Sequence, residues 1–524
     1  MRIQFPVICL VTIGFNTFAH AEREFVVIAE RGSKVGDNYV RRFNDEMPSP
    51  RINDHGVVAF AADVVGIGWA AMTQRGVALG PGDVLTNGSV VVSMGHRSIN
   101  LELNNREDLF VTGARVFIPE KLQEPTAAIR NREVIAFEGD TFGDFPIGEV
   151  LRRGSSMNDA GETLYEVFAE EPPDFDDDDE TLQRALASDD KIVVANQAEY
   201  QNRPLRNFSN AFIDGQGKAA FGAHFDGAEK SFIIYDGEII VSPGDTVRDM
   251  IVEQPRLHGM NESGTLLLGD SASGTNCCSG SRFFTLERDL LVFPEDIDEL
   301  EIIGFNDQEQ ILYEVDNEYF LDDELIISEN IQVNGLPIRE VSDLAFNNRG
   351  DVVFLATVED EDDIHVVVST DRPANGDLNS DGSVDARDID ELSSLIRENS
   401  VDFWFDVNRD GIVTFDDHTA WVHEKRTTWF GDSNLDGEFN SADLVSVFQG
   451  DRYETSDLAS WAQGDWNGDG KFDSRDFVVA FQDRGYERGP IARTVPEPHF
   501  TMMIFGGIIL LTGARTSGLR AVRN

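Results

Sequence analysis

A short motif recurs seven times between residues 53 and 354, and this recurrence limits the folds open to the chain. Each copy is a turn followed by an alternating strand, because Asn and Gly tolerate the positive φ that a tight hairpin turn demands. The copies read NDHGVVAF from Asn53, NNREDLFV from Asn104, NDAGETLY from Asn158, DGQGKAAF from Asp214, NESGTLLL from Asn261, NDQEQILY from Asn306 and NNRGDVVF from Asn347. Copies two and six lack the glycine, so we expect their turns to be distorted.

The spacing of the copies predicts the architecture. Successive copies start 41 to 56 residues apart, which is the length of a four-stranded propeller blade. A looser element, GPGD, EGD or PGD, follows several copies, around Gly82, Gly139 and Gly244. The sequence therefore predicts a mainly β, seven-bladed propeller-like domain over residues 22–370, with a β-sandwich or a solenoid as open alternatives. We expect the strand FVVIAERG from Phe25 to pair near Val366 and close the ring.

Four acidic loops of twelve residues occupy residues 377–476. They read DLNSDGSVDARD from Asp377, DVNRDGIVTFDD from Asp406, DSNLDGEFNSAD from Asp432 and DWNGDGKFDSRD from Asp465. Each places oxygen ligands at positions 1, 3, 5 and 12, a glycine at position 6 for the sharp turn, and a backbone carbonyl at position 7, which is the ligand pattern of an EF-hand calcium loop. The predicted Ca²⁺ ligands are Asp377, Asn379, Asp381, Ser383 and Asp388; Asp406, Asn408, Asp410, Ile412 and Asp417; Asp432, Asn434, Asp436, Glu438 and Asp443; and Asp465, Asn467, Asp469, Lys471 and Asp476.

The flanks of these loops suggest a small α-helical domain in two parts, residues 371–430 and 431–488. Position 8 is apolar in every loop, so two loops are predicted to pair there across a short β-bridge. An apolar-periodic helix follows three loops, in IDELSSLI, LVSVF and FVVAF. Position 12 is Asp where the usual EF-hand has Glu, so its shorter side chain is expected to close the site more loosely.

A calcium loop with an exiting helix, duplicated in tandem, resembles the type I dockerin module. Loops three and four repeat at 33 residues and share Tyr453 with Tyr486 and Glu454 with Glu487. The resemblance implies a cohesin-like partner, recognised through loop positions 10 and 11. Only Ser441 and Ser474, at position 10 of the last two loops, match the family's pattern there. The tandem β repeats in turn resemble the NxxGxxAF units of secreted bacterial proteins.

The two ends of the chain carry export signals. Residues 1–21 have a basic start, an apolar run and a small-x-small site ending at Ala21, which predicts a cleaved signal peptide. In the segment 495–524, Val495-Pro496-Glu497-Pro498 precedes a short apolar stretch and a basic end. This tail resembles the PEP-CTERM sorting signal, which implies an exosortase-type sorting enzyme as partner, transient contact with the membrane, and final location at the cell surface or in the extracellular matrix.

The net charge and the cysteine content exclude some classes of partner and of stabilising cross-link. The net charge is −52, which argues against a nucleic-acid partner, because phosphate binding needs a basic surface. After loss of the leader only the adjacent Cys277 and Cys278 remain, so distant segments are not stapled by disulfides. No catalytic motif is recognised, and no catalytic residue is predicted. The sequence favours a secreted, non-catalytic, calcium-binding surface module, with a dockerin-bearing component of extracellular polysaccharide degradation as the alternative; matrix polysaccharide is a predicted partner in either case.

Overall fold

The computed structural model describes two structural parts, a mainly β ring and a smaller helical module. The described residues are 23–491 apart from 44–47, 96–98, 152–153, 170–183, 229, 249, 271–281, 293–299, 329–330, 359–362, 371–375, 380–382, 401 and 409–411. The predicted signal peptide, the sorting tail and the two cysteines lie outside these residues. Asp381 and Asp410, two of the predicted metal ligands, also lie outside them. No helix among the described residues is long and apolar enough to cross a membrane.

Within the described residues, the strands of the first part form seven sheets of at least four strands and two small hairpins. The first strand in the chain is β1 (Glu24–Ala29). Sheets one to three follow as β2 (Lys34–Val35), β3 (Asn38–Arg42), β4 (Arg51–Ile52), β5 (Val58–Val64), β6 (Gly68–Thr73) and β7 (Gly76–Leu79); β8 (Val90–Ser93), β9 (Asn100–Leu103), β10 (Leu109–Phe117), β11 (Thr126–Arg130) and β12 (Glu133–Phe137); and β13 (Thr141–Phe142), β14 (Phe145–Val150), β15 (Ser156–Met157), β16 (Thr163–Ala169), β17 (Arg184–Ser188) and β18 (Lys191–Ala195).

The remaining four sheets continue the same order along the chain. They comprise β19 (Glu199–Tyr200), β20 (Arg203–Ile213), β21 (Ala219–Phe225), β22 (Phe232–Tyr235) and β23 (Glu238–Val241); β24 (Thr246–Val247), β25 (Met250–Ile251), β26 (Pro255–Met260), β27 (Leu266–Asp270), β28 (Arg282–Phe284) and β29 (Asp289–Val292); β30 (Leu300–Phe305), β31 (Ile311–Val315), β32 (Glu318–Leu321) and β33 (Glu324–Ile327); and β34 (Gln332–Val333), β35 (Leu336–Pro337), β36 (Glu340–Phe346), β37 (Val352–Thr357) and β38 (Ile364–Thr370). Of the strands just given, β24 with β25 and β34 with β35 form two separate two-stranded hairpins and are not part of the four larger sheets.

The seven sheets are the blades of a closed propeller. The innermost strands β4, β9, β15, β20, β26, β30 and β36 contact one another in that order, and β36 contacts β4 in turn. The N-terminal strand β1 pairs antiparallel with β38, with Val26 opposite Val368, and so becomes the outer strand of blade seven. The propeller and the closing role of this strand are confirmed. Blade seven therefore combines a strand that precedes blade one in the chain with three strands that follow blade six, and main-chain hydrogen bonds hold this closure together.

The recurrent turns form a second ring of hydrogen bonds at one end of the inner strands. The first Asn of a copy accepts two N–H groups of its own turn, as Asn53 Oδ1 does from His55 (3.1 Å) and Val57 (2.9 Å). Its amide then donates to the main chain of the next turn: Asn53 Nδ2 lies 3.1 Å from the carbonyl oxygen of Asn104. Between blades seven and one, where the ring closes, Asn347 Nδ2 donates to the Asn53 carbonyl at 2.9 Å. The same amide contact to the next turn is made by Asn104, Asn158 and Asn306, so each of these side chains shapes one turn and joins two blades.

The expected distortion of turns two and six was wrong. Glu107 and Glu309 occupy the glycine position there and adopt the same left-handed backbone, with φ of 64° and 58°. The Glu107 and Glu309 N–H groups donate to the main-chain carbonyl oxygens of Asn104 and Asn306 at 3.1 and 3.0 Å. The Gly56 N–H makes the same contact with the Asn53 carbonyl at 3.0 Å. An arginine from the preceding blade binds each carboxylate, in the pairs Arg75–Glu107 and Arg288–Glu309. These ion pairs offset part of the cost of a non-glycine residue at positive φ.

The helical module packs around its own core and docks on the propeller. Its helices are α1 (Ala386–Arg397), α2 (Phe415–Ala420), α3 (Ser441–Gln449) and α4 (Ser474–Gln482), with 3₁₀ turns at Phe403–Phe405 and Trp461–Gln463 and a π-helical turn at Trp421–Lys425. One hydrophobic cluster joins residues of both loop pairs. Trp404 contacts this cluster and also a propeller cluster that contains residues of blades one, two and seven.

The docking contact explains one glycine of the ring. A Cβ on Gly56, in the first turn, would lie 2.5 Å from Trp404 Nε1, so the indole needs a residue without a side chain there. Beside it, Arg349 Nη1 of the seventh turn lies 2.8 Å from the buried carboxylate of Asp402. The module therefore sits against the turns where the ring closes.

Candidate metal centre

Each acidic loop leads into a helix through the same cap. The residue at position 9, namely Asp385, Thr414, Asn440 or Asp473, is the N-cap of the following helix, and its side chain accepts the N–H of position 11. The Asp at position 12 completes a capping box by accepting the N–H of position 9. A helix follows all four loops, one more than predicted. The sequence signal was missed at α2 because His418, a polar residue, is fully buried there.

The position-12 carboxylates also hold the beginning of their loops. Asp476 Oδ1 accepts the N–H groups of Trp466 and Asn467, both at 3.0 Å, and its Oδ2 accepts that of Asp473 at 2.8 Å. Asp388, Asp417 and Asp443 make the corresponding contacts in the other loops. All four side chains are buried. The shorter Asp therefore ties both ends of its loop to one point. In Asp476 the Oδ1 atom accepts two N–H groups, and Oδ2, which accepts one, keeps a second lone pair.

Loops three and four show the same internal turns. The position-1 carboxylate accepts the N–H of the position-6 glycine, at 2.7 Å from Gly437 to Asp432 and 2.8 Å from Gly470 to Asp465. Both glycines have positive φ, 95° and 83°. The amide oxygen at position 3 accepts the N–H of position 5, in Asn434–Asp436 and Asn467–Asp469. The side chains at positions 1, 3 and 5 thus bend inward on the same stretch of backbone.

One carboxylate oxygen in loop four has no hydrogen-bond donor. Asp465 is 3% exposed, and its Oδ1 is buried without a partner. The pKa of this group is raised to about 7, first by burial and then by the carboxylates of Asp476 and Asp469, while the hydrogen bond from Gly470 and the charge of Arg397 lower it. Burial also raises the pKa of Asp476, to about 6. A buried carboxylate oxygen without a hydrogen-bond donor can serve as a ligand for a hard cation, whose charge would also favour the ionised form of the group.

The donor types of the loops fit calcium, although their carboxylates are not clustered. In the part of the chain that the structure describes, no group of three or more His, Cys, Asp or Glu side chains is close enough to hold a metal ion. The oxygens of positions 1, 3, 5 and 12 in loops three and four bind loop N–H groups instead. Ser383, Ile412, Glu438 and Lys471 lie at position 7, where the prediction uses only the backbone carbonyl.

The predicted pairing of two loops at position 8 was wrong for loops three and four. Phe472 forms a parallel bridge with Tyr453, and the Phe472 carbonyl accepts the N–H of Glu454 at 2.8 Å. In the mirror contact, the Phe439 carbonyl accepts the N–H of Glu487 at 2.8 Å. Each loop therefore binds the Tyr-Glu segment that follows the other loop's helix. The 33-residue repeat contained this signal, because the two Tyr-Glu pairs stand at equivalent positions.

Carboxylates also gather on the propeller, in a cleft of about 850 Å³ between blades six and seven. Glu301, Glu314 and Glu340 line it around Tyr319, whose hydroxyl donates to the Val341 carbonyl at 3.1 Å. Burial, followed by these three carboxylates, raises the pKa of Tyr319. The cleft offers several hydrogen-bond acceptors to a ligand, whereas Tyr319 itself is buried, with 6% of its surface exposed. The cleft was not predicted, because its residues come from different repeats.

No protein-family model and no curated protein matches the chain. Among solved structures, the chain is similar to the polysaccharide lyase Uly1, with 9% identity and a TM-score of 0.31 over 65% of this chain and 92% of that one. It is also similar to the Cps50 (Swd1) β-propeller domain of Myceliophteria thermophila, with 12% identity and a TM-score of 0.30 over 61% and 96%. A third is an α-L-arabinanase of Penicillium chrysogenum complexed with arabinobiose, with 12% identity and a TM-score of 0.27 over 56% and 96%. The propeller assignment rests on sheet order and ring closure in this chain.

Proposed function

We propose that this protein is a secreted, calcium-binding surface protein in which a calcium-ordered module is docked on a non-catalytic binding propeller. The observation that carries the calcium assignment is Asp465 Oδ1, a buried carboxylate oxygen without a donor inside a loop of five oxygen ligands. When bound, calcium supplies a positive charge that brings such oxygens together. The chain's own contribution is the pre-bent loop, held at its start by the glycine and at its end by the position-12 capping box.

Thermal unfolding of the full chain, with and without EDTA, tests this proposal. Ligand that binds only the folded form stabilises it, by about 2.7 kcal/mol when its concentration is 100 times the dissociation constant. We expect the helical module to melt at a lower temperature in EDTA, while the propeller's β signal changes less. The double variant Asp432→Ala with Asp465→Ala should lose the calcium-dependent part of this shift for loops three and four.

The matched control is Asp457→Ala. Asp457 lies in the same module, its side chain is 67% exposed, and it pairs with Arg452 outside the loops. This variant should keep the full calcium response. A double variant whose melting shifts with calcium as much as that of the control would overturn the assignment.

The binding role of the propeller is supported by the cleft between blades six and seven, which is lined by the carboxylates of Glu301, Glu314 and Glu340. The hydroxyl groups of a sugar can donate hydrogen bonds to such acceptors. Retention on a glycan array without product release supports the non-catalytic reading. Release of reducing sugar from a polysaccharide would favour the alternative, a component of extracellular polysaccharide degradation. Export and surface sorting belong to the same proposal and predict mature protein that lacks residues 1–21.

A further inference from the structure

The second residue of each recurrent turn forms a ring of its own around the propeller axis. The N–H of one residue donates to the side-chain oxygen of its counterpart in a following turn, at 2.7 Å from Asp54 to Asn105 and 2.9 Å from Asn105 to Asp159. The series closes at 2.7 Å from Asn348 to Asp54. The members in order are Asp54, Asn105, Asp159, Glu262, Asp307 and Asn348. Six residues thus join seven blades.

The fourth turn has no side chain to contribute, and Glu262 of the fifth turn reaches across it. Gly215 occupies the second position of turn four, and its N–H donates to the Glu262 carbonyl at 2.9 Å. Glu262 Oε1 continues past it and accepts the N–H of Asp159, in turn three, at 2.9 Å. A Cβ on Gly215 would lie 2.6 Å from Glu262 Oε2. The glycine and the one longer side chain of the ring therefore complement each other.

Amide donors bridge the side-chain carboxylates of the ring everywhere except beside Glu262. Asn105 Nδ2 bridges the carboxylates of Asp54 and Asp159 at 2.7 and 2.9 Å. Asn348 Nδ2 bridges those of Asp54 and Asp307, both at 2.8 Å. Between Asp159 and Asp307 the ring places Glu262, an acid in the position where the other neighbours have an amide. Three acids, Asp159, Glu262 and Asp307, therefore follow one another in the ring. An ionised Glu262 would add a third negative charge and would have no hydrogen to donate to either neighbouring carboxylate.

The surroundings of Glu262 favour its neutral form. Its pKa is raised to about 7, first by burial and then by the carboxylates of Asp159, Asp307 and Asp214, while the hydrogen bond from the Asp159 N–H lowers it. The third of these, Asp214, accepts the hydroxyl of Tyr235 at 2.6 Å. These are the titratable groups that act on Glu262 from the turns and strands around it.

We propose that Glu262 is a proton-dependent latch of the propeller ring, in which its protonated carboxyl takes the place of the bridging amide between blades three and six. The proton lies on one Glu262 oxygen and is donated to a neighbouring ring carboxylate. Loss of the proton leaves adjacent like charges at this point of the ring. The ring is therefore tighter in mildly acidic than in mildly alkaline solution.

The direction in which pH changes the stability follows from the pKa of Glu262 in the folded and in the unfolded chain. In the unfolded chain a glutamate releases its proton near its usual pKa, whereas in the ring it holds the proton to a higher pH. The latch therefore contributes its full stability below the unfolded value. That contribution is lost as the pH rises to about 7, the folded-state pKa of Glu262.

Thermal unfolding of the full chain between pH 5 and pH 8.5, followed by the β signal in circular dichroism, tests the latch against Glu262→Gln. The glutamine keeps the acceptor for Asp159 and carries a permanent amide donor. We expect its Tm to match the wild type at pH 5 and to exceed it by about 2 °C or more at pH 8.5. Glu133→Gln, which removes an exposed carboxylate elsewhere on the propeller, controls for the change in net charge.

Two results would overturn the latch. One is a Tm difference between wild type and Glu262→Gln that is independent of pH or equals that of Glu133→Gln. The other comes from the unaltered protein and does not depend on how the variant folds. Hydrogen exchange of the amides of residues 159–162, corrected for the intrinsic pH effect, should speed up between pH 6 and pH 8; unchanged protection contradicts the proposal.

Discussion

Asn347 shows how many contacts a single turn side chain makes. It is 4% exposed. Its Oδ1 accepts the N–H groups of Arg349 and Asp351, and its Nδ2 donates to the Asn53 carbonyl and to Asp351 Oδ2. An alanine in its place would leave several of these buried groups without a partner, and each such loss costs about 1–3 kcal/mol. Since Asn53 belongs to blade one and Asn347 to blade seven, the loss falls on the closure of the ring.

We therefore expect Asn347→Ala to lower the free energy of unfolding by about 3 kcal/mol, because the substitution leaves the Arg349 and Asp351 N–H groups without this acceptor and the Asn53 carbonyl without this donor. Urea unfolding of the full chain at constant calcium measures this change. Asn87→Ala is the control: Asn87 caps an exposed turn by accepting the N–H of Ser89, and it lies outside the ring. If the two variants lost equal free energy of unfolding, the contact of Asn347 across the ring closure would contribute no more to stability than an ordinary turn cap.

At this scale the sequence predicted which residues form turns but not how they interact. The Asn and Gly pattern indicates positive φ and a hairpin, because those are local preferences. The contact from one turn to the next depends on the placement of blades, which only the folded ring defines. Glu107 and Glu309 show the limit clearly: their arginine partners lie on the preceding blade, 32 and 21 residues earlier in the chain.

Among the elements, β1 was predictable and α2 was not. The FVVIAERG segment has the strand pattern of an outer blade strand, and its position before the first repeat left the last blade as its partner. The helix α2 has no apolar stripe in sequence, because its buried face includes Asp417 and His418. His418 packs against Phe430 and Trp461, with ring centroids 5.7 Å away in both cases, and burial lowers its pKa to about 3.

The 3₁₀ turn Phe403–Phe405 is the element that joins the two parts of the molecule. Trp404 contacts both hydrophobic clusters, and Asp402 binds Arg349. Stability added to the module by calcium should therefore pass to the propeller as long as this turn is docked, since residues in contact share their interaction energy. Trp404→Ala should remove this coupling at a cost of about 2 kcal/mol, less than for a fully buried tryptophan.

Calorimetric unfolding with and without calcium measures the coupling. In the wild type, calcium should raise both the module and the propeller transitions, whereas in Trp404→Ala it should raise the module transition alone. Trp429→Ala is the matched control, because Trp429 is half-buried inside the module and donates to the Gly489 carbonyl. That variant should weaken the module yet keep the two transitions linked. If calcium leaves the unfolding temperature of the propeller unchanged in the wild type, this account of docking is contradicted.

Seen as a whole molecule, the protein combines a large ring held by main-chain and turn contacts with a small module rich in acidic loops. The repeats made the ring predictable, because spacing and turn chemistry repeat seven times. The exchange of Tyr-Glu segments between loops three and four, the docking turn and the cleft of blades six and seven were not predictable. Each depends on residues that are distant in the chain and are brought together only by the fold.

Calcium binding is the central claim at this scale, and titration calorimetry of the full chain tests it most directly. The sequence of each loop supplies side-chain oxygens at positions 1, 3, 5 and 12, and drawing these oxygens together around one point is favourable only when a cation binds. The account predicts that at least two and at most four calcium ions bind, with dissociation constants of about 10⁻³ M or tighter, as for extracellular modules of this kind. Fewer than two ions bound, together with a melting temperature unchanged by calcium, would contradict it.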